Sequence, residues 1–177
     1  MPVQSLTSDY FSFFGLPRKL TIDLADLQKR FYSLSREYHP DRYARRSAED
    51  QQYALDATAL LNDAYRVLRE PLLRAEYLLS QEGFDIGEQR SKDVPPELLE
   101  EVFELNMLLE ETPDREELEQ ARTKFLGMQS EADGELQELF EKYDATEDRA
   151  VLQSIRGVLN RRRYIQNLVR DVEKALA

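Results

Sequence analysis

Apolar residues in this chain recur every third or fourth position, and runs that alternate apolar with β-branched polar residues are missing. Leu24, Leu27, Phe31, Leu34 and Tyr38 follow the helical rhythm, which gathers them on one buried face, with Thr21 or Asp23 as the N-cap. Tyr53, Ala57, Leu60, Leu61, Ala64 and Leu68 repeat the pattern after Ser47, a second N-cap residue. Two such helices joined by a short loop make an antiparallel hairpin. A shorter segment, Asp9 to Leu16, carries Tyr10, Phe11, Phe13 and Phe14, stops near Pro17 and can cover the open side of that hairpin. Pro71, suited to a first helical turn, opens a further helix to about Gln81.

The text GFDIGEQRSKDVPP then breaks the periodicity with two glycines and two prolines and reads as a connector. Beyond it the rhythm returns three times: from about Pro96 to Glu111, after Pro113 and Asp114 (Leu118, Phe125, Ala132, Leu136), and after Thr146 (Val151, Ile155, Ile165, Val172). The expectation is an all-α chain with an N-terminal helical-hairpin domain over 1–82, a linker over 83–94 and a three-helix bundle over 95–177.

The first bundle helix, LLEEVFELNMLLEE, has more apolar residues than one core needs. Leu98, Val102, Leu105 and Leu109 suffice as its buried stripe. Leu99, Phe103 and Met107 form a second stripe, rotated by about 100° and edged by Glu100 and Glu104. Spacing alone leaves two readings open: a wide face packed between two other helices, or a surface for another molecule. Met107 and Met128 read as packing residues.

Composition adds exclusions. No apolar run is long enough to cross a bilayer, and the start MPVQSLTSDYFSFFGLP carries neither a basic leader nor a long apolar stretch, so an intracellular, membrane-free protein is expected. Cysteine is absent, which removes disulfides, thiol nucleophiles and thiolate ligation of zinc or an iron–sulfur cluster. The net charge of −11 is uneven, because eight Lys or Arg stand against four acids between Arg18 and Arg46. A basic island on an acidic chain suits an acidic protein surface better than a long polyanion, and no nucleic-acid partner is expected. Arg161, Arg162 and Arg163 fall short of a nucleic-acid stripe and read as partners for acids on adjacent helices.

The string REYHPDRYAR, Arg36 to Arg45, holds the only histidine of the 177 residues. Pro40 fixes its own φ, lacks an amide proton and drives His39 out of the α region, so the preceding helix stops and His39, Pro40 and Asp41 are presented together on a loop. Lys29 and Arg36 fall opposite the apolar stripe of the preceding helix, with Arg30 on its flank and Arg42 just beyond the proline. A hydrolase or transferase centred on His39 and Asp41 lacks a nucleophile motif or a metal partner nearby, so no catalytic residue and no metal ligand is assigned.

A helix with a basic outer face, then His-Pro-Asp, then an antiparallel helix resembles a J domain, the part of DnaJ-type co-chaperones that acts on DnaK-type ATPase chaperones. FFGLP near the start, YHPD, and NDAYRVLREPLLRAEYLLSQEGF more specifically resemble the HscB family of J-type co-chaperones of iron–sulfur cluster assembly, through most of the chain. The resemblance implies that His39, Pro40 and Asp41, with Lys29, Arg30, Arg36 and Arg42, engage a DnaK- or HscA-type chaperone and stimulate its ATPase, the chain itself being no enzyme. It further implies that Leu99, Glu100, Phe103 and Glu104, with Tyr164 from RRRYIQNL, bind an IscU-type scaffold protein. Glu100 stands where relatives usually carry an apolar residue. Some animal relatives add a four-cysteine metal module, which a chain without cysteine lacks. No cofactor is implied, and a bacterial cytoplasm is the expected location. A general J-domain co-chaperone with a different client is the alternative.

Overall fold

The computed structural model describes residues 6–84 and 95–177; most of the connector, 85–94, lies outside them. Every regular element among the described residues is helical. The chain divides into two compact units, Met1–Glu82 and Gly83–Ala177.

The first unit holds α1 (Tyr10–Phe14), α2 (Leu24–Glu37), a 3₁₀ turn (Pro40–Tyr43), α3 (Ala48–Leu68) and α4 (Pro71–Gln81). Of the two caps foreseen for α2, Asp23 takes the role, its side chain accepting from the Ala25 and Asp26 amides. Ser47 caps α3 through the Asp50 amide. Glu70, extended because a proline follows, separates α3 from α4. Three alanines, Ala54, Ala57 and Ala64, lie fully buried along α3 and let its neighbours approach closely, with Leu27, Leu61 and Leu68 filling the seam. Leu24 departs from the expected stripe and is 53% exposed, because it occupies the first turn of α2, at the edge of the seam.

α1 is three residues shorter than foreseen, ending in a left-handed Gly15 with φ of 66°. Five residues cannot hold a helix by themselves. Tyr10 stacks on Tyr77 of α4 at 4.4 Å, and Gln81 donates to the Asp9 cap at 3.0 Å. Burial pushes the Asp9 carboxyl up, but hydrogen bonds from Ser12, Gln81 and the Phe11 amide outweigh it and leave the pKa lowered. Arg74, on α4, is 5% exposed, with Nε donating to the Leu20 carbonyl at 2.7 Å and Nη1 to the Leu68 carbonyl at 2.6 Å. A single guanidinium thus bolts the strap before α2 to the end of α3.

The second unit holds a short 3₁₀ turn (Pro96–Leu98), α5 (Leu99–Glu110), α6 (Arg115–Thr146) and α7 (Arg149–Leu176). Asp114 and Glu117 form a reciprocal capping box at the start of α6, and Asp148 caps α7. α6 and α7 are antiparallel, in a register marked by Arg122–Glu173 at 3.3 Å, Glu135–Arg161 at 2.6 Å and Asp133–Arg162 at 2.5 Å. Arg161 and Arg162 therefore pair with acids on the neighbouring helix, as expected. α5 lays Leu105 against Leu118, Phe125, Leu168 and Val172, while Met128 packs at the edge of that cluster. Phe84 is also buried in this unit, its ring 4.5 Å from the Arg149 guanidinium.

Candidate functional site

The tip of the α2–α3 hairpin is built by the proline. α2 ends in a Tyr38 C-cap with φ −98° and ψ 9°, and His39 turns extended at φ −60° and ψ 129°. Pro40 then starts the 3₁₀ turn at a position where its missing N–H costs nothing. The Asp41 amide donates to His39 Nδ1 at 3.2 Å, so the neutral ring carries its proton on Nε2. The side chains of His39 and Asp41 are 57% and 91% exposed.

That geometry does not pair the two side chains as a base and its orienter. A carboxylate that orients a general-base imidazole accepts from the Nδ1 proton. Here Nδ1 is itself an acceptor, and the Asp41 carboxylate stands 3.6 Å away, too far for a hydrogen bond. Among the described residues no three His, Cys, Asp or Glu are grouped to hold a metal. What the tip offers is a shape: an imidazole, a locked proline and a carboxylate turned to solvent.

Lys29 and Arg36 are exposed on one face of α2, as their spacing of seven requires. The Arg42 guanidinium lies at the end of that face, 3.4 Å from the Arg36 carbonyl. Lys29 and Arg36 thus lie two turns apart on one face of α2, and Arg42 adjoins Arg36 at the end of that face. Arg30 is turned elsewhere. Its Nε meets Asp26 at 2.9 Å and its Nη1 donates to the Phe14 and Gly15 carbonyls at 3.0 Å, so it caps α1 from α2.

Two side chains of α3 that sequence reasoning missed, Thr58 and Gln51, hold the tip, and aromatic rings support it from beneath. Thr58 Oγ1 lies 3.2 Å from the Tyr38 carbonyl and 2.8 Å from the Ala54 carbonyl. Gln51 Nε2 donates to the Ala44 and Arg46 carbonyls at 3.2 and 3.1 Å. Beneath the tip, the Tyr38 ring stacks on Phe13 at 5.8 Å and meets Tyr53 edge-on at 5.9 Å. Burial there pushes the Tyr38 phenol up to about 12. A threonine in mid-helix was the one sequence signal, since threonine is a poor interior helix former.

The second candidate lies on α5. Leu105 is 3% exposed, while Leu99 and Phe103 stand open at 55% and 65%. Met107, expected to pack, is 46% exposed and belongs to the open stripe instead, because the core side of α5 is already filled by Leu98, Leu105 and their neighbours. Glu100 and Glu104 flank the stripe, both exposed, with Glu104 3.8 Å from Lys124 Nζ. Tyr164 stands on a different helix, α7, half-buried one turn before Leu168. Leu99, Phe103 and Met107 thus form a contiguous exposed apolar stripe on the surface of α5.

Comparison with known proteins covers both units. A family profile described as "DnaJ domain" matches residues 9–77, and one described as "HSCB C-terminal oligomerisation domain" matches residues 94–173. Two relatives, each named "Co-chaperone protein HscB homolog", from Vibrio vulnificus strains YJ016 and CMCP6, are 42% identical over 118 residues, covering 66% of this chain and 68% of theirs. Among solved structures, "Chaperone HscB from Vibrio cholerae" superposes with a TM-score of 0.65 at 30% identity, covering 94% of this chain and 96% of that one. "Crystal structure of human co-chaperone protein HscB" gives a TM-score of 0.73 at 28% identity, covering 97% and 83%.

Proposed function

The chain belongs to the HscB family of J-type co-chaperones of iron–sulfur cluster assembly, and on that premise we propose that it is an adaptor between two proteins. Its first unit engages a DnaK- or HscA-type ATPase chaperone through His39, Pro40 and Asp41, docked along Lys29, Arg36 and Arg42. Its second unit holds an IscU-type scaffold protein on Leu99 and Phe103, flanked by Glu100 and Glu104, with Tyr164 contributing from α7. Arg30, carried over with the other basic residues, supports docking through the α1–α2 junction that it ties together.

The observation that carries this reading is the open stripe on α5. With the core face of the helix complete, Leu99 and Phe103 remain more than half exposed, and each forgoes about 1–2 kcal/mol of burial. A client protein supplies the missing cover. The basic face of α2 acts in a different way. Exposed ion pairs contribute about 0–1 kcal/mol each, so these charges speed and orient encounter more than they tighten the complex. Holding scaffold and chaperone on one chain raises the local concentration of client at the chaperone, and couples ATP hydrolysis to client capture. The cluster itself is carried by the scaffold, because this chain has no thiol. The bacterial cytoplasm is the proposed site of action.

The test is the steady-state ATP turnover of an HscA-type chaperone with this protein and an IscU-type scaffold, added singly and together. The expected result is no turnover from the protein alone, stimulation of the chaperone, and more than additive stimulation when the scaffold is present. His39→Gln abolishes the stimulation while leaving the helical circular dichroism intact. Unchanged stimulation by that variant sinks the proposal.

A further inference from the structure

We propose that Thr58 and Gln51 are positioning residues for the His39–Asp41 turn, and that full stimulation of the chaperone requires the backbone ties they make. This rests on the function proposed above for that turn.

A proline at the start of a turn leaves the carbonyls around it without helical partners. Backbone amides pair some of them, Arg42 N–H with the His39 carbonyl and Arg46 N–H with the Tyr43 carbonyl, both at 3.0 Å, and side-chain donors can tie down others. α3 supplies them on both sides of the tripeptide: Thr58 at the carbonyl immediately before His39, and Gln51 at two carbonyls after the 3₁₀ turn begins to unwind. Positions 51 and 58 are seven apart, two turns of one helix, and so project from the same face of α3. The Thr58 hydroxyl proton is shared between the Tyr38 carbonyl and its own Ala54 carbonyl, a three-centre bond whose shorter arm is intrahelical. The rigid partner is therefore α3, and Tyr38 is fixed to it.

His39 gains its direction from this arrangement. The imidazole is held within its own turn by the Asp41 amide, so where it points follows from the backbone on either side. Tyr38, wedged between Phe13 and Tyr53, fixes the same backbone from the opposite side. An exposed tripeptide held in one direction spends more of its bound time in the orientation that triggers hydrolysis, where small misplacements cost rate. Positioning of this kind acts on the productive geometry of the complex, whereas the charges of α2 act on its formation.

The experiment uses the full chain with a DnaK- or HscA-type chaperone, and titrates the chaperone's ATP turnover with parent, Thr58→Val, Gln51→Ala, the double variant, Thr58→Ser and His39→Gln. Valine matches threonine in shape and removes only the hydroxyl. The double variant is expected to lower the plateau of stimulation about fivefold, in keeping with the loss of one or two hydrogen bonds, with the half-saturating concentration unchanged within about twofold. Thr58→Ser, which keeps the hydroxyl, restores the plateau. A plateau equal to the parent's in the double variant overturns the proposal. So does a fall that disappears once the signal is scaled to the folded fraction from thermal unfolding, or one that Thr58→Ser shares. If His39→Gln itself still stimulates, the function assigned to the turn fails first and the positioning role falls with it. Loss in His39→Gln with none in the double variant removes the positioning role alone.

Discussion

Replacing Arg74 by leucine tests how the first unit is held together. The guanidinium is 5% exposed and serves the Leu20 carbonyl at 2.7 Å and the Leu68 carbonyl at 2.6 Å, on residues that are 1% and 0% exposed. Water cannot take over as donor at either carbonyl. A hydrogen bond from a charged donor contributes about 1.5–3 kcal/mol, so losing both costs about 3–6 kcal/mol. The leucine recovers about 1 kcal/mol through its own buried area. A net loss of about 3 kcal/mol is expected, a large share of the 5–15 kcal/mol typical of a whole domain. Urea titration is the suitable assay, since it leaves charge interactions unscreened. The chain has no tryptophan, and seven of its nine tyrosines lie at or before Tyr77, so the near-ultraviolet tyrosine signal reports chiefly on this unit. With a slope near 1 kcal/mol per molar urea, the midpoint falls by about 3 M. Arg74→Lys should fall between the two, because one ammonium cannot reach both carbonyls in the forked geometry. A leucine variant within about 1 kcal/mol of the parent, or a lysine variant equal to it, refutes the reasoning.

On α5 the core and the open stripe should separate cleanly. Leu99→Ala and Phe103→Ala, at positions 55% and 65% exposed, change stability by less than about 0.5 kcal/mol. Each weakens calorimetric affinity for an IscU-type scaffold about tenfold or more. Leu105→Ala, at 3% exposure, instead destabilises the bundle by about 2–5 kcal/mol. The tyrosine beneath the tip predicts an alkaline limit. The Tyr38 phenol is raised from 10.0 to about 12 by burial, so the fold favours its protonated form. That contribution is complete below pH 10 and is lost as pH rises through about 12, and Tyr38→Phe should flatten the fall in melting temperature across that window.

Most helix boundaries were legible because their signals are local. Asp23, Ser47 and Asp114 cap where an N-cap residue meets the first apolar repeat, and Pro40 and Pro71 act on their immediate neighbours. What sequence could not supply came from distance along the chain. Arg74 meets a carbonyl 54 residues away, and nothing in an arginine's own surroundings announces that it will be buried. Arg30 read as one more outward charge until its reach to α1 was visible, 15 and 16 residues back. Leu24 fitted the apolar rhythm perfectly and yet stands exposed, since periodicity says which face a residue occupies but not how far the neighbouring helix extends over it. The double stripe of α5 was undecided for the same reason. Only the packing of α5 against α6 and α7 shows that one set of apolar residues is spent on the core and the other is not.

Because the one imidazole of the chain sits more than half exposed at the hairpin tip, the molecule comes with a reporter already installed. Its two ring carbon-bound protons give a single pair of histidine resonances in a nuclear magnetic resonance spectrum, and the Hε1 member, downfield of the nine tyrosine and eight phenylalanine rings, needs no assignment and no isotope label. Whatever settles on the tip will broaden or move that pair, and the binding curve can be read from the unmodified protein.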